Sequence, residues 1–408
     1  MPAATGATAP GGRLDHLDAL RGFALLGIAL MNVEYFTAPL SELGGGVQPG
    51  QGVLDAAADG FVYLLVQAKF WTLFSLLFGM GFVLMLDRAR AAGVPFVPVY
   101  LRRIAGLLAI GLAHAWLVWA GDILVSYAFA ALGLLLFFRD TRTENMLPCG
   151  LLLWGVFCTL MLASGAMFLF GGGGADAGAD AVLGELARMR AREIAAYGAG
   201  TWWEATTLRI HYWRETAGSQ LALLPALLGT FLLGGWMVRA GMVAEPGRHR
   251  RTLQRLVAWG AMAGLLLTLA SVAVDPAPGR AGSVGRAIIA GTLHMAGGLP
   301  MALAYVAAGL LLASRAGSLC SVLAPAGRMA LSNYLLQSLV GTWIFYGHGL
   351  GMWGEVGRAA QVLGVLVFFA LQLLASRWWL QRFRQGPVEW LWRAFIYWRV
   401  PPLRRTPA

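Results

Sequence analysis

Long apolar stretches, interrupted by short arginine-bearing segments, constrain this chain more than any other feature. The clearest is the run from Ile104 to Phe138, whose 35 residues are dominated by apolar side chains. A single α-helix of that length would measure roughly 52 Å, whereas the hydrocarbon core of a bilayer is about 30 Å thick. The run therefore predicts two membrane-spanning helices, with the turn between them at Gly121-Asp122.

Several other stretches reach the roughly 20 apolar residues that one span requires. Of the 408 residues, 58% are hydrophobic and only 12% are charged, against about 25% charged in soluble proteins. We predict an all-α fold, a polytopic transmembrane helix bundle forming a single domain over residues 1–408. About ten spans are expected, at 18–36, 61–86, two within 104–138, 147–170, 221–239, 256–274, 287–313, 329–346 and 359–376.

The distribution of arginine predicts the orientation of this bundle. With the spans placed in this way, 22 of the 30 arginines fall on one side and eight on the other. The arginine-rich side is expected to face the cytoplasm, so both termini are predicted to be cytoplasmic and the protein to lie in a bacterial cytoplasmic (inner) membrane. The net charge of +11 is then explained by this distribution of arginine. The predicted partner is a lipid bilayer, and no nucleic-acid partner is predicted.

Two segments fall outside the spans. Residues 171–220 are predicted to be an extracytoplasmic loop, with an amphipathic helix over Val182–Tyr197 that serves either as a lid over an acceptor or as a brace for the bundle. Residues 377–408, rich in Arg and Trp, are predicted to lie on the cytoplasmic leaflet. In this tail Glu389 and Arg393 have the i,i+4 spacing of a helical ion pair.

A polar stripe runs along the first span. Arg21 and Asn32 are eleven residues apart, which is three helical turns plus about 20°, so the two side chains share one face. Asp18 lies about 60° from Arg21 on the same side. The rise between Arg21 and Asn32 is roughly 16 Å, about half the hydrocarbon thickness. The stripe is either interhelical packing or the lining of a site.

Three further polar residues lie inside predicted spans. Lys69 must pair with an acid, bind a ligand or stay neutral. His114 lies eleven residues beyond Arg103, near mid-membrane, and His294 precedes Gly297-Gly298 and Pro300, which are expected to bend the eighth span. Each histidine is either a satisfied packing group or a proton acceptor. The sequence contains no metal-ligand set.

The first span also resembles a known family. Asp18-x-x-Arg21-Gly22-Phe23, followed by Asn32, looks like the opening of the YeiB-like membrane proteins, the domain-of-unknown-function 418 family. Three later stretches are similar to the same family, namely residues 69–82, residues 110–124 and Gly386-Pro387-Val388-Glu389-Trp390-Leu391-Trp392-Arg393.

A wider resemblance concerns the same helix. Arg-x10-His on a first span is the pattern of bacterial membrane O-acyltransferases, and here Asn32 stands at the histidine position. Asn32 is also similar to the asparagine that heparan-alpha-glucosaminide N-acetyltransferases carry after their own Asp-x-x-Arg-Gly motif. Those enzymes move acetyl from cytosolic acetyl-CoA to a luminal amine.

This resemblance implies transfer of an acyl group from cytoplasmic acyl-CoA, as a co-substrate rather than a permanently bound cofactor, to an unidentified acceptor. Asn32 would hold the thioester carbonyl and His294 or His114 would accept the proton. The coenzyme-binding residues would be Asp18, Arg21, Lys69, Arg102 and Arg103. The alternatives are a small-molecule transporter and a non-catalytic membrane protein. The oligomeric state stays open, with a homodimer among the options.

Overall fold

The computed structural model describes residues 15–39, 51–171, 173–276, 283–313 and 317–405, and only the backbone of 173–176, 217, 219–220 and 317–319. These ranges are helical, which confirms the predicted all-α class. The helices are α1 (Asp15–Tyr35), α2 (Val53–Leu65), α3 (Lys69–Ala91), α4 (Val97–Leu117), α5 (Leu124–Phe137), α6 (Thr143–Phe170), α7 (Gly173–Glu193), α8 (Trp202–Ala222), α9 (Leu224–Arg239), α10 (Arg250–Val274), α11 (Val284–Ala313), α12 (Gly317–Arg328), α13 (Ala330–Phe345), α14 (Arg358–Arg382) and α15 (Pro387–Tyr397).

A helix or a helix pair lies at every predicted span. Within the described ranges, seven helical segments are long and apolar enough to cross a membrane, namely α1, α2 together with α3, α4, α6, α10, α11 and α14. The shorter apolar helices α5 and α9 lie at two further predicted spans, and the 16-residue α13 lies at another. How many of these helices cross the bilayer stays a prediction.

The second predicted span is not one continuous helix. The chain breaks between α2 and α3, where Ala68 adopts a left-handed conformation with φ 62°. Sequence patterns miss this break because no Gly or Pro marks it. The Lys69 ammonium, at the first position of α3, donates a hydrogen bond to the backbone oxygen of Tyr63 at 3.0 Å. The break therefore places a buried lysine inside the bundle.

Glycines let several helices approach closely, as is common between membrane helices. A Cβ on Gly79 of α3 would overlap the backbone oxygen of Phe231 on α9. Gly297 of α11 faces Gly264 of α10 in the same way. Pro300 lies inside α11, which the structure describes as one helix from Val284 to Ala313. The glycines that were expected to bend this span thus lie at a helix–helix contact.

The segment predicted as a loop over 171–220 is mostly helical. The predicted amphipathic helix over 182–197 is part of the longer α7, which ends in a turn of π-helix over Ile194–Ala199. Thr201 then caps α8, with Glu204 completing a capping box. Residues 40–50, between the first and second predicted spans, lie outside the described residues.

The tail folds back onto the bundle. Helix α14 continues to Arg382, six residues beyond the predicted end of the span. In α15 the Glu389 carboxylate accepts the backbone N–H groups of Leu331 and Ser332 at 2.7 and 3.0 Å. Glu389 therefore caps the N-terminus of α13, instead of forming the predicted pair with Arg393. This contact holds α15 against the N-terminal ends of the neighbouring helices.

Candidate functional site

Three arginines gather at the N-terminal ends of α1 and α4. Arg21 pairs with Asp18 at 2.7 Å, and the Arg103 guanidinium stacks on the Trp392 ring at 4.4 Å from its centroid. Arg21 and Arg393 are both close enough to Arg103 to repel its charge. The structure thus brings Asp18, Arg21 and Arg103 together, and their role in coenzyme binding stays a prediction. Arg102 donates to the Pro98 backbone oxygen at 3.1 Å.

A histidine–aspartate pair lies near the other end of α4. His114 Nδ1 and Asp122 Oδ2 are 2.7 Å apart, and both residues are buried. Asp122 Oδ1 accepts the backbone N–H of Val125 at 3.0 Å. Burial raises the pKa of the Asp122 carboxyl, while the hydrogen bonds from His114 and Val125 oppose that rise. A carboxylate here accepts the Nδ1 proton and leaves a lone pair on Nε2.

The second nitrogen of this histidine has different surroundings. Among the described residues His114 Nε2 has no hydrogen-bond partner, although it is buried. The Tyr334 ring of α13 lies 5.2 Å from the His114 ring. A buried imidazole that is oriented by a carboxylate and has a free nitrogen is the arrangement of a general base. Among the described residues, no group of three or more His, Cys, Asp or Glu is placed to hold a metal ion.

Asn32 lies near the C-terminal end of α1. It is buried, one turn before Phe36, whose ring centroid is 4.8 Å from that of Trp119. The Trp119 ring in turn lies 6.2 Å from the His114 ring. The C-terminal ends of α1 and α4 therefore meet at these aromatic side chains.

Helices α1 and α4 run in the same direction. Arg21 and Arg103 are neighbours at the N-terminal ends, and Asn32 and His114 each follow eleven residues later. Eleven helical residues rise roughly 16 Å. The amide and the imidazole therefore lie at a similar depth, about half a hydrocarbon thickness from the arginines.

A cavity of about 230 Å³ opens beyond this level. Its wall combines six aromatic residues, two acidic residues and small or aliphatic residues, namely Tyr35, Ala38, Trp119, Ala120, Gly121, Asp122, Ile123, Glu193, Tyr197, Tyr212, Leu223, Tyr346 and Trp353. Burial raises the pKa of Tyr197 and Tyr212, so these phenols stay neutral at physiological pH.

Helix α8 closes the bundle beside this cavity. The Arg209 guanidinium, which is fully buried, donates to the backbone oxygens of Trp116 and Leu117 at 2.8 and 3.1 Å. The Trp202 indole also donates to Leu117 at 3.0 Å. These bonds satisfy carbonyls that the end of α4 leaves free. The 171–220 segment thus braces the bundle and also forms part of the cavity wall. Both roles predicted for it, a lid and a brace, therefore stay open.

Lys69 and His294 form a separate buried cluster. The Tyr63 ring stacks on the His294 ring at 4.1 Å, and the Lys69 ammonium lies 5.9 Å from the centre of the Tyr63 ring. Tyr63 also shares a hydrogen bond of 2.7 Å with Ser271 on α10. The structure therefore groups Lys69 with His294, on α2, α3 and α11, and not with the arginines predicted to bind a coenzyme.

A third cluster was missed by the sequence analysis. Arg358 contacts Glu34 at 3.1 Å, Asp59 at 3.4 Å and the Gln361 side chain at 2.9 Å, and Gln67 donates to Glu34 at 2.5 Å. The sequence signal that could have revealed this cluster is a polar residue inside an apolar run. Glu34 lies two residues after Asn32, and Gln67 two residues before Lys69.

The fold and these clusters define a helical membrane protein with polar groups inside its bundle. The C-terminal part, residues 237–399, matches the family described as Protein of unknown function (DUF418). The chain is 33% identical to the uncharacterized protein YxaH of Bacillus subtilis (strain 168) over 412 residues, which cover 96% of each chain. It therefore belongs to this family.

Two further relatives are similar over nearly the whole chain. The uncharacterized protein YeiB of Escherichia coli (strain K12) is 29% identical, with 92% of this chain and 94% of YeiB covered. An uncharacterized 39.9 kDa protein from the amylase 3′ region of Bacillus acidopullulyticus is 27% identical, with 96% of each chain covered. No solved structure matches this chain.

Proposed function

We propose that this protein transfers an acyl group, acetyl being the expected one, from cytoplasmic acyl-CoA to an acceptor at the outer face of a bacterial inner membrane. The observation that carries the proposal is the His114–Asp122 pair, 2.7 Å apart and buried. It lies beside a cavity whose wall includes Asp122. Such a pair supplies the proton acceptor that Asn32 cannot be.

The arginines supply a binding surface for the coenzyme. Arg21 and Arg103 lie together at the N-terminal ends of α1 and α4, on the side that the arginine distribution assigns to the cytoplasm. Guanidinium groups suit the phosphates of a nucleotide, because they donate in a planar fork. The pantetheine arm would then extend along α1 towards Asn32, roughly 16 Å away.

The chemistry follows from that placement. The acceptor's nucleophilic atom gives its proton to His114 Nε2 and attacks the thioester carbonyl. The new bond to carbon forms as the carbon–sulfur bond breaks, and the coenzyme thiolate leaves with a proton. The Asn32 amide donates a hydrogen bond to the carbonyl oxygen as that oxygen gains charge. Asp122 holds the imidazole in the reactive tautomer.

A transporter is the second candidate, and the other two clusters favour it. Buried ionisable residues in membrane helices often mark ion and substrate routes. Lys69 is fully buried with a backbone oxygen as hydrogen-bond acceptor, and Arg358 contacts two buried carboxylates. Uptake of a solute by proteoliposomes, without consumption of acyl-CoA, would favour this function over acyl transfer.

Two substitutions test the acyl-transfer proposal in opposite ways. Asn32→Ala should lower turnover by about 10²–10³, because it removes one donor to the developing oxyanion, while acyl-CoA affinity changes little. Arg21→Ala should weaken acyl-CoA binding first, because its charge lies at the coenzyme end. Affinity is measured by calorimetry on purified protein, and turnover by release of the coenzyme thiol.

The controls are the same substitutions at exposed positions. Arg142→Ala and Asn145→Ala, both at the start of α6, should leave affinity and turnover unchanged. If Asn32 serves only in packing, Asn32→Ala would instead lose about 0.6 kcal/mol of stability with turnover intact. A parent protein that binds no acyl-CoA would refute the proposal.

A further inference from the structure

The cavity beside the His114–Asp122 pair has an unusual wall. Six of its residues are aromatic and two are acidic, and no Lys, Arg or His of the described part of the chain lines it. An aromatic wall binds the faces of sugars, lipids or cations. Because the wall also contains two acidic residues and none of these basic residues, it favours a positively charged occupant over an anionic one.

The aromatic side chains form two groups. Tyr197 stacks on Tyr346 at 4.6 Å, and the Trp353 ring lies 5.4 Å from Tyr346. Tyr35 and Trp119 form the other group, with ring centroids 6.2 Å apart. Within each group the rings come from different helices or connecting segments. The fold therefore holds the rings, and no single loop carries them all. Such rings present π faces that attract cations.

Charges of both signs act on the rings of this cavity. Glu193, at the end of α7, is close enough to Tyr197, Tyr212 and Tyr346 for its charge to act on them. The Arg209 charge acts on Tyr197 and Tyr346. Its guanidinium donates to the carbonyls at the end of α4 and to the Thr206 hydroxyl, and it is not part of the wall.

We propose that this cavity binds an organic cation and, resting on the function proposed above, that the acceptor is an amine that enters as its ammonium form. The ammonium gives one proton to His114 Nε2, and the neutral amine attacks the thioester carbonyl. A carbon–nitrogen bond forms and the carbon–sulfur bond breaks. The second nitrogen proton leaves with the coenzyme thiol, and His114 returns its proton to solvent.

The test compares a cation with its neutral isostere. Choline and 3,3-dimethyl-1-butanol have the same shape and differ in charge. Each is titrated by calorimetry into the purified full-length protein in detergent. Choline should bind at least about tenfold more tightly, which is the effect of one or two desolvated cation–π contacts.

Variants locate the binding site. Glu193→Gln should weaken choline binding about tenfold and leave the neutral isostere unaffected, because it removes charge with almost no change in shape. Glu215→Gln is the matched control, since Glu215 lies on the adjacent α8 outside this cavity and pairs with His211 at 2.9 Å. If Glu193→Gln does not fold, Trp353→Leu is used instead, and it should weaken choline binding about fivefold.

Several outcomes separate this inference from the proposed function. Equal affinity for choline and the neutral isostere, or loss of choline binding in Glu215→Gln but not in Glu193→Gln, would overturn the cation site. Binding of a neutral sugar in preference to choline would do the same. Choline binding by a protein that acylates no primary amine would support the cation site and overturn the amine acceptor, whereas a parent protein that binds choline but no acyl-CoA would overturn the acyl-transfer function alone.

Discussion

Replacing Asp122 by Asn probes the candidate base without altering its size. In the parent, Asp122 Oδ2 lies 2.7 Å from His114 Nδ1, which donates its proton in the proposed mechanism, and Oδ1 accepts the Val125 N–H at 3.0 Å. In Asp122→Asn the amide oxygen can still accept from Val125, so its NH2 group faces His114. That group donates to Nδ1 and moves the imidazole proton to Nε2, the atom that must accept the acceptor's proton.

The expected loss in turnover is large while the loss in stability is small. Placing the proton on the wrong nitrogen should lower turnover by about 10⁴, by analogy with the aspartate-to-asparagine change in serine proteases, or at least by the 10²–10⁴ that a general base contributes. Both hydrogen bonds survive, and only the bond to His114 reverses its direction, so the thermal midpoint should fall only slightly. Acyl-CoA affinity should be unchanged, because the coenzyme arginines lie roughly 16 Å away.

The assay is release of coenzyme thiol in the presence of acyl-CoA and a panel of primary amines, with affinity measured separately by calorimetry. His114→Ala should show the same loss, and the double variant should lose no more than either single one, because the two residues act as a unit. An Asp122→Asn protein that is folded and turns over at the parental rate would refute the role assigned to the pair.

Two further predictions concern stability and topology. Arg358→Met should lower the free energy of unfolding by about 3–5 kcal/mol, because it removes a buried guanidinium that contacts two buried carboxylates. Arg90→Met, which breaks an exposed pair of 2.6 Å, should cost no more than about 1 kcal/mol. Equal shifts in thermal midpoint would contradict this contrast. Alkaline phosphatase fusions should be active after Gly174 and inactive after Arg142 and Arg384, and activity at Arg384 would mean that a span has been miscounted.

The helices were predictable because a membrane span leaves a strong local signal. A run such as Ile104–Phe138 is too long for one membrane-spanning helix and too apolar for a segment outside the membrane. Its predicted turn at Gly121-Asp122 lies between α4 and α5. The break before Lys69 was not predictable, because the left-handed conformation of Ala68 is imposed by packing. Gly298 makes room for it, since any Cβ there would lie 2.5 Å from the Ala68 oxygen.

The pairing of polar residues was predictable only where the partners are close in sequence. Asp18 and Arg21 are three residues apart on one helix, and their contact follows from helical geometry. Glu34 and Arg358 are 324 residues apart, so their contact depends on how α1 and α14 assemble. His114 and Asp122 are an intermediate case, because their pairing requires the turn between α4 and α5 to fold back onto α4.

Acyl transfer across a bilayer is the most direct measurement of the account. Purified protein is reconstituted into proteoliposomes, acyl-labelled coenzyme A is added to the side that carries the tail, and a primary amine is enclosed on the other side. The account predicts labelled amide in the amine compartment and free coenzyme thiol in the other, both abolished by Asp122→Asn and retained by Arg142→Ala. Liposomes in which the parent protein leaves acyl-CoA unconsumed and unbound would contradict it.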